Sequence, residues 1–483
     1  MRITNHPILD FKRGRKVTFY YDDKEVTGYE GESIASALHA NGVRVLSHSI
    51  RYDRPRGFFC GIGKCSSCFM IVDGEANVRT CITPLREGMR VYTQKKPGSL
   101  SAKPYNPYPK RFIECEISII GSGPAGMTAA IAAADQGARS VLLVDENPKP
   151  GGQLVKQTHK FFGSKTEKAG TRGVRIADEL ISMIKERSSI TLLPQTTVFG
   201  YYPEGEEHRL TGFSRLTHGE QLVDIHCKRV IVASGAMENM LAFPGNDLPG
   251  VYGAGGVQTL MNVYGVKPGR RVLMVGAGNV GLIVSYQLLQ AGVEVDRVVE
   301  ALPYIGGYHV HAAKLRRCGV PIYTSHTIVE AKGEGRVESA VVSAVDDKCR
   351  PVKGSEEEVE CDTICLAVGL TPSIRLLEQA MVKTSFIPEG GGVVALHDST
   401  MQTSRRGVYV AGDASGIEEA STAMIEGMLA GVSAACTLGY DKNAKVLQEE
   451  CMKALSVFRS GPFGKNPKLC KEKISCCFEE VVH

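Results

Sequence analysis

The sequence predicts an α/β protein with two dinucleotide-binding folds and a smaller domain in front of them. Two segments carry the pattern G-x-G-x-x-G, and each lies between an apolar strand and a helix. Near the N-terminus, four cysteines stand at spacings that core packing does not produce. A chain of 483 residues is long enough for roughly two to four domains. Three modules therefore fit both the length and the motifs.

Composition narrows the class of protein. Lys and Arg number 57 against 52 Asp and Glu, a net charge of +5 that gives no basic stripe for nucleic acid over so long a chain. No signal core opens the chain, and no apolar run approaches the roughly 20 residues of a membrane helix. We therefore expect a cytoplasmic protein without a membrane span. Its fifteen cysteines should serve metals, catalysis or packing rather than disulfides.

The first hundred residues predict a small sheet with one helix. The segments KVTFYY and EVTGYEG are typical strands on either side of an Asp22-Asp23 turn, and a helix is expected from Ser33. The order strand, strand, helix suits a β-grasp domain.

A cysteine cluster follows that helix with the spacing C-x4-C-x2-C-x12-C. Its members are Cys60, Cys65, Cys68 and Cys81. The first three match the plant-type spacing for a [2Fe-2S] cluster, and Gly61 and Gly63 let the backbone wrap closely around it. Four unrelated core cysteines and a structural zinc site are the alternatives, although zinc usually takes two separated C-x2-C pairs. The segment resembles the ferredoxin-like domains fused to molybdenum hydroxylases and amine dehydrogenases.

The first nucleotide fold begins after a linker rich in Pro, Lys and Ser. The strand ISII leads into GSGPAG and a helix, and the next strand, SVLLVDE, ends in two acids about 20 residues later. The expected loop contacts to the cofactor are Gly121, Gly123, Pro124, Ala125 and Gly126. An acid at the strand end accepts from a ribose hydroxyl, and we favour Glu146 over Asp145 for that role. A glycine-rich turn of another α/β fold is the alternative.

The same pattern recurs as RRVLMV, GAGNVG, a helix and DRVVE. Its expected contacts are Gly276, Gly278, Asn279, Val280, Gly281 and Glu300. Glu300 in the ribose position favours NAD over NADP, because a carboxylate repels a 2′-phosphate. A structural relic, or a site for another adenine nucleotide, stays open for this fold.

Three later segments connect the two folds into one architecture. VIVASGA and ICLAVGLTP end in glycine where the chain crosses between domains, the first at Gly235. GVYVAGDASG puts Gly412 and Asp413 between a strand and a helix, where the acid would accept from a ribityl hydroxyl. Residues 113–445 resemble the flavoproteins with two Rossmann-like folds of the glutathione-reductase type, which hold FAD in the first fold and NAD(P)H in the second.

The resulting division of the chain has five parts. They are a ferredoxin-like domain (1–95), a linker (96–112), a discontinuous FAD-binding domain (113–245 and 369–445), an inserted NAD(P)-binding-like domain (246–368) and a cysteine-containing tail (446–483).

The disulfide reductases of this architecture carry a C-x4-C or C-x2-C pair beside the flavin, and neither spacing occurs in residues 113–445. Cys361 and Cys365 are expected on one face of a strand, about 13 Å apart, which is too far for a disulfide. They are expected in the core. Electrons therefore need another outlet, and the iron-sulfur domain supplies one.

A closer resemblance extends over nearly the whole chain. PGGQLVKQTHKFFGS (150–164), VGAGNVGLIVSYQLLQAG and GPFG (461–464) resemble the α subunits of heteromeric amine and amino-acid dehydrogenases, namely the sarcosine oxidase, opine oxidase, hydrogen cyanide synthase and dye-linked proline or hydroxyproline dehydrogenase group. The resemblance implies an amino-acid-oxidase-type flavoprotein partner, FMN at a subunit interface, and contacts of Gly152 and Gln153 to FAD. The acceptor and substrate stay unknown.

No catalytic role is assigned to the histidine-containing segments or to the C-terminal cysteines. Gln157 and His159 follow the double glycine, but packing or solvent exposure explains His159, and Tyr308-His309-His311 fits a loop that lines a nucleotide site. Many relatives end in a larger cysteine-rich domain, whereas this tail holds only four cysteines, for which a metal stays open. These are Cys451, Cys470, Cys476 and Cys477.

Three functions remain in competition. The first is an electron-relay subunit that serves a partner which oxidises an amine or imino acid. The second is a self-sufficient NADH:acceptor oxidoreductase with FAD and [2Fe-2S]. The third is an assembly subunit whose folds bind adenine nucleotides structurally.

Overall fold

A computed structural model describes residues 1–95, 98, 107–161, 168–205, 207–216, 219–461 and 463–482. The chain forms two compact units, each made of two stretches of sequence. One unit contains Met1–Pro104 and Glu238–Gly369, and the other contains Tyr105–Met237 and Leu370–His483.

The N-terminal residues form the predicted β-grasp. The elements are β1 (Lys16–Tyr21), β2 (Lys24–Tyr29), α1 (Ile34–Ala40), β3 (Ser47–His48), β4 (Pro55–Arg56), β5 (Phe69–Val72), β6 (Glu75–Arg79) and β7 (Arg90–Thr93). Asp22 and Asp23 turn the first hairpin with φ of 45° and 62°, and the side chain of Ser33 caps α1. The sheet order is β2-β1-β7-β5-β6, with β1 and β7 parallel.

The first nucleotide fold follows. Its elements are β8 (Lys110–Ile120), α2 (Pro124–Gln136), β9 (Val141–Val144), α3 (Gly173–Lys185), β10 (Ile190–Leu193), β11 (Thr196–Glu204), β12 (Glu207–Leu216), β13 (Gly219–Val232) and β14 (Ala236–Glu238). Most of the predicted linker, 96–112, lies outside the described residues, and its last three residues already belong to β8. Residues 162–164 of the 150–164 motif lie outside as well.

The inserted fold comes next. Its elements are β15 (Val251–Gly253), α4 (Ala254–Gln258) with a π-helical turn (Thr259–Val263), β16 (Arg271–Val275), α5 (Asn279–Gln290), β17 (Glu294–Glu300), α6 (His309–Arg317), β18 (Ile322–Thr324), β19 (His326–Lys332), β20 (Ser339–Ala344), β21 (Glu357–Glu360) and β22 (Thr363–Leu366). Its main sheet is wholly parallel, in the order β15-β22-β16-β17-β18.

The remaining residues return to the first fold and then form a helical tail. The elements are β23 (Leu370–Pro372), α7 (Arg375–Gln379), β24 (Thr384–Ile387), β25 (Gly392–Ala395), β26 (Val408–Val410), α8 (Ala420–Cys436), α9 (Ala444–Arg459) and α10 (Lys465–Val482). The large sheet has the order β10-β9-β8-β13-β12-β11, and β26 pairs with β13. Of the GPFG motif, Pro462 lies outside the described residues.

The cysteine-bearing domain and the inserted fold share one hydrophobic core. A single cluster of buried residues contains Phe19 and Met70 of the first and Leu260 and Leu288 of the second. The backbones also join directly, because Ile3 donates its N–H to the carbonyl of Gly265 at 2.7 Å. The two domains of this unit therefore fold as one body, although about 150 residues of sequence lie between them.

In the other unit, α8 crosses α2 at backbone contact. A Cβ added to Gly427 would lie 2.0 Å from the carbonyl oxygen of Ala125, and one on Gly431 would lie 2.3 Å from that of Ala129. Only glycine permits this approach. The crossing fixes α8, and with it the loop Gly412–Ser415, against the start of α2.

One expectation about the core is wrong. Cys361 and Cys365 are both buried, as predicted, but they belong to different core clusters and do not share a face of a strand. The reason is that β22 begins only at Thr363, so the two-residue alternation does not extend back to Cys361.

No helix in the described ranges combines the length and apolarity that crossing a membrane requires.

Candidate functional site

The four N-terminal cysteines come together in one loop and one following turn. Cys60, Cys68 and Cys81 are buried, while Cys65 is half-buried. Gly61 and Gly63 adopt φ of 65° and 72°, which side chains rarely take. The glycines thus bend the loop so that its sulfurs converge, as the sequence predicted.

The electrostatics of the four thiols call for positive charge among them. Hydrogen bonds from Cys65 and then Cys81 lower the pKa of Cys60 to about 2, and the same contacts raise the pKa of Cys65 and of Cys81. A hydrogen bond from Cys81 likewise lowers the pKa of Cys68, so two thiolates are stabilised at the expense of the other two thiols. All four ionise together only when cations compensate them, which iron ions do.

The donor set fits a [2Fe-2S] cluster. None of the described cysteines is in a disulfide. Backbone N–H groups of Ile62 and Ser67 donate to Cys60 and Cys65, the kind of contact that tunes a cluster. Among the described residues no group of three or more His, Cys, Asp or Glu side chains is arranged to hold a metal ion. The four thiols form a chain of contacts in the order 65, 60, 81, 68 and would be the ligands of the cluster.

The first glycine-rich loop has the close packing of a dinucleotide site. A Cβ on Gly121 would lie 2.3 Å from the carbonyl oxygen of Ala233, and one on Gly126 would lie 1.8 Å from that of Gly121. Around Gly123 there is open space, at the N-terminus of α2. Backbone and helix dipole are therefore exposed where a pyrophosphate would bind.

Asp145 holds this loop in place. Its carboxylate accepts from the N–H and Oγ of Ser122 at 2.6 and 2.7 Å, and from the N–H and Nδ2 of Asn147 at 2.7 and 3.0 Å. Asp145 is 7% exposed, whereas the neighbouring Glu146 is half-buried. The ribose role of Glu146, and that of Asp145, stays a prediction.

We expect Asp145→Ala to release FAD and to destabilise the protein, because it leaves the buried N–H of Ser122 without an acceptor, at roughly 1–3 kcal/mol, and also frees the partly buried N–H of Asn147. Glu146→Gln should weaken FAD binding with a much smaller loss of stability. Flavin content after gel filtration and urea unfolding of both variants measure the two effects. Equal losses of unfolding free energy would contradict this division of roles.

The second glycine-rich loop repeats the first at a constant offset. Glycines 276, 278, 281, 306 and 307 follow glycines 121, 123, 126, 151 and 152 by 155 residues each. One contact repeats at the same offset, because Glu300 accepts from the N–H of Ala277 at 2.7 Å as Asp145 accepts from that of Ser122. The carbonyl of Ala277 accepts from Gly307, the second glycine of its pair, whereas the carbonyl of Ser122 accepts from Gly151, the first of its pair. The sequence prediction placed the loop after Gly306-Gly307 at a nucleotide site but assigned no cofactor contact to these two glycines.

The other residues predicted to contact a nucleotide at the second loop, Asn279 and Val280, lie at the start of α5. Asn279 begins α5, its side chain accepts from the N–H of Tyr308, and Val280 is 42% exposed. Burial lowers the pKa of His311 to about 4, so this histidine is neutral at physiological pH. Occupation of this fold by NAD stays a prediction.

The loop around Asp413 contains a feature that the sequence did not reveal. Burial raises the pKa of Asp413 to about 6. Beside it, Glu426 accepts from the N–H of Gly412 at 3.0 Å and from Oγ of Ser415 at 2.7 Å. The tail completes the arrangement, because Arg459 and Lys471 pair with Glu426 at 2.7 and 2.8 Å.

This buried ion network gives the C-terminal tail a structural role. Cys451 and Cys470 are core residues, Cys477 packs against the same cluster as Cys470, and Cys476 is exposed. The tail helices thus brace the loop Gly412–Ser415 with ion pairs, and the four cysteines do not converge. Of the other predicted contacts, Gly235 has φ of 67° with open space beside it, Gly152 packs against Gly123, and Gln153 is exposed.

The structure also contains a pair of neighbouring cysteines that no sequence spacing predicted. Cys115 and Cys227 are direct partners on the parallel strands β8 and β13, and hydrogen bonding to Cys115 raises the pKa of Cys227. Cys115 lies six residues before Gly121, or roughly 20 Å along a strand. This pair is therefore not placed like the flavin-side disulfide of the reductases.

Comparison with known proteins agrees with both sites. Residues 115–427 match the pyridine nucleotide-disulphide oxidoreductase family, and residues 14–96 match a 2Fe-2S iron-sulfur cluster binding domain. The chain belongs to this oxidoreductase family and is an FAD-dependent oxidoreductase with a [2Fe-2S] domain. Within it, the chain groups with the subunits of sarcosine oxidase, opine oxidase and hydrogen cyanide synthase, as the sequence motifs indicated.

Three similar proteins show the extent of this similarity in sequence and structure. The alpha subunit of sarcosine oxidase from Rhizobium meliloti is 30% identical over 410 residues, which cover 71% of this chain and 40% of the relative. The opine oxidase A protein of the same species is 30% identical, covering 66% of this chain and 71% of the relative. L-Proline dehydrogenase from P. horikoshii superposes with a TM-score of 0.70 at 25% identity, covering 93% of this chain and 79% of that one. The chain spans less than half the length of the sarcosine oxidase relatives.

Proposed function

We propose that this chain is the electron-transfer subunit of a heteromeric dehydrogenase. An amino-acid-oxidase-type flavoprotein subunit would oxidise an amine, amino acid or imino acid of the proline, hydroxyproline, sarcosine or opine type. Electrons would then pass between flavin and the cluster of this chain. The combination of a cluster loop with a flavoprotein fold that carries no disulfide at the expected place supports this function.

The chain's own residues perform the binding and orienting in this proposal. Bound FAD supplies two-electron chemistry and the [2Fe-2S] cluster supplies one-electron chemistry. The N-terminus of α2 would bind the pyrophosphate, Glu146 or Asp145 would accept from the ribose, and Asp413 would accept from a ribityl hydroxyl. The four cysteines hold the cluster, and FMN at the interface with the partner is part of the same proposal.

The test is a comparison of the isolated chain with its complex. Co-expression with a flavoprotein subunit encoded beside it should give a complex that reduces a dye with L-proline, hydroxyproline, sarcosine or an opine. The isolated chain should contain flavin and iron but oxidise none of them. Oxidation of such a substrate by the isolated chain would overturn the relay.

A second function, a self-sufficient NADH:acceptor oxidoreductase, is favoured by one observation. The second fold keeps the contact between the strand-end acid and the loop, because Glu300 accepts from the N–H of Ala277 as Asp145 accepts from that of Ser122. Anaerobic NADH should then bleach the flavin of the isolated chain within seconds. Absence of bleaching with full flavin content excludes this function and leaves the relay.

A further inference from the structure

Positive charge concentrates in the segment that leads into the cluster loop. Residues 44–64 contain five basic side chains and one acid, a net +4, whereas the whole chain carries +5. The basic residues are Arg44, Arg51, Arg54, Arg56 and Lys64, and the acid is Asp53. Asp247 offsets part of this charge by pairing with Arg54 and Arg56, and the remaining excess lies in the segment that leads into the cluster loop.

Part of this charge is presented on a short, well-fixed hairpin. Strands β3 and β4 pair through Ser47 and Arg56, and Ser49 accepts from the N–H of Asp53 and donates to the carbonyl of Arg54 at its tip. These hydrogen bonds restrict the motion of the hairpin tip before a partner binds, so less conformational entropy is lost on docking.

The tip exposes two apolar side chains between cations. Ile50 is 74% exposed and Tyr52 is 62% exposed. The guanidinium groups of Arg51 and Arg54 lie 5.1 and 5.2 Å from the centre of the Tyr52 ring. Arg54 also pairs with Asp247 at 3.4 Å, whereas Arg51 has no ion pair within the ranges that the structure describes. Tyrosine and arginine are the residues that most often dominate protein interfaces.

The hairpin is attached to the solvent side of the cluster loop. Oγ of Ser47 donates to the carbonyl of Ser67, which lies between Cys65 and Cys68, at 3.1 Å. Residues 64–67 are the partly or fully exposed part of the loop, and Cys65 is the one ligand cysteine that is not buried. An electron that leaves the cluster for solvent passes most directly through this edge, because electron transfer weakens steeply with distance.

We propose that the hairpin tip, residues 49–54, and the loop edge, residues 64–67, form the docking surface for an acidic one-electron carrier protein. This inference rests on the proposed function, since it names the partner that takes electrons from the cluster. Positive charge around the exit edge steers an acidic protein toward it, and Ile50 and Tyr52 supply the apolar contact. Such transient redox complexes need only a small interface.

Stopped-flow reduction of two carriers of opposite charge tests the proposal. The purified chain, with any subunit that co-purifies, is reduced photochemically and mixed with acidic cytochrome b5, basic cytochrome c or a ferrocenium dye. Cytochrome b5 should react fastest at low salt, and its rate should fall by about tenfold between 20 and 200 mM salt. A rate that rises with salt would overturn the proposal.

Matched variants locate the effect on the hairpin. Arg51→Glu should slow cytochrome b5 by roughly five- to tenfold, while Arg316→Glu, an equal charge change at an exposed position of α6, should change the rate by less than about twofold. Tyr52→Ala should weaken cytochrome b5 binding without changing its salt dependence. Equal rates for the two charge variants would place docking elsewhere.

Failure of this inference is distinguishable from failure of the proposed function. The small dye needs no docking surface, so a cluster that cannot reduce it refutes electron transfer itself. Titration of the oxidised chain with oxidised cytochrome b5 then still measures docking, because binding does not require electron flow. Binding that Arg51→Glu leaves unchanged would overturn the docking surface in either case.

Discussion

The Cys68→Ser protein should lose its cluster and keep its flavin. Cys68 is 2% exposed and its thiol contacts Cys81, and a serine hydroxyl at this buried position would be a much weaker iron ligand than the thiolate. Removal of groups that only support a ligand already costs 10- to 100-fold in metal affinity, and loss of a ligand should cost on the order of 10²-fold or more. Iron, acid-labile sulfide and visible absorbance measure the loss.

Cys365→Ser is the matched control. Cys365 belongs to the same buried core cluster as Cys68 but lies on β22, away from the ligand loop. It should cost stability and leave iron content unchanged. A Cys68→Ser protein with two irons per chain would show that another residue completes the cluster site.

The second large effect is expected for Glu426→Gln. Glu426 is 2% exposed and pairs with both Arg459 and Lys471, which also pair with Glu418, so the amide would leave two buried cations with one carboxylate between them. Breaking a buried pair in this way costs about 3–5 kcal/mol. Because Glu426 also holds Gly412 and Ser415, the variant should retain less FAD. Urea unfolding and flavin content measure both losses.

An exposed ion pair provides the control. Glu358 pairs with Lys332 at 2.9 Å on the surface, and Glu358→Gln should change the free energy of unfolding far less than Glu426→Gln does. If Glu426→Gln cost as little, the network would not brace the tail.

The same network predicts a pH dependence. Burial alone would raise the pKa of Glu426, but Lys471 and Arg459 outweigh it and lower that pKa to about 2. A carboxyl whose pKa is lower in the folded than in the unfolded state stabilises the fold above the unfolded value, near 4.3. The difference in unfolding free energy between wild type and Glu426→Gln should therefore be full above about pH 5 and shrink as the pH falls toward 2.

The sequence by itself determined the features whose residues lie close together in the chain. The turn at Asp22-Asp23, the cap at Ser33, the four cysteines and both glycine-rich loops each depend on contacts within a short segment, and fixed spacing reports such contacts. The fold class, the FAD and [2Fe-2S] cofactors and the family followed from these motifs. The offset of 155 residues is also present in the sequence, but the second double glycine, Gly306-Gly307, was not among the predicted cofactor contacts.

Only the tertiary structure decided which distant segments meet. It joined the cysteine-bearing domain to the inserted fold through one core, paired Cys115 with Cys227, and brought Arg459 and Lys471 of the tail onto Glu426. It also showed that Asp145 is engaged with Ser122, while Glu146 is less buried. A buried ion pair between residues 33 or 45 positions apart has no periodicity in the sequence, because its energy comes from exclusion of water by elements that arrive from elsewhere in the chain.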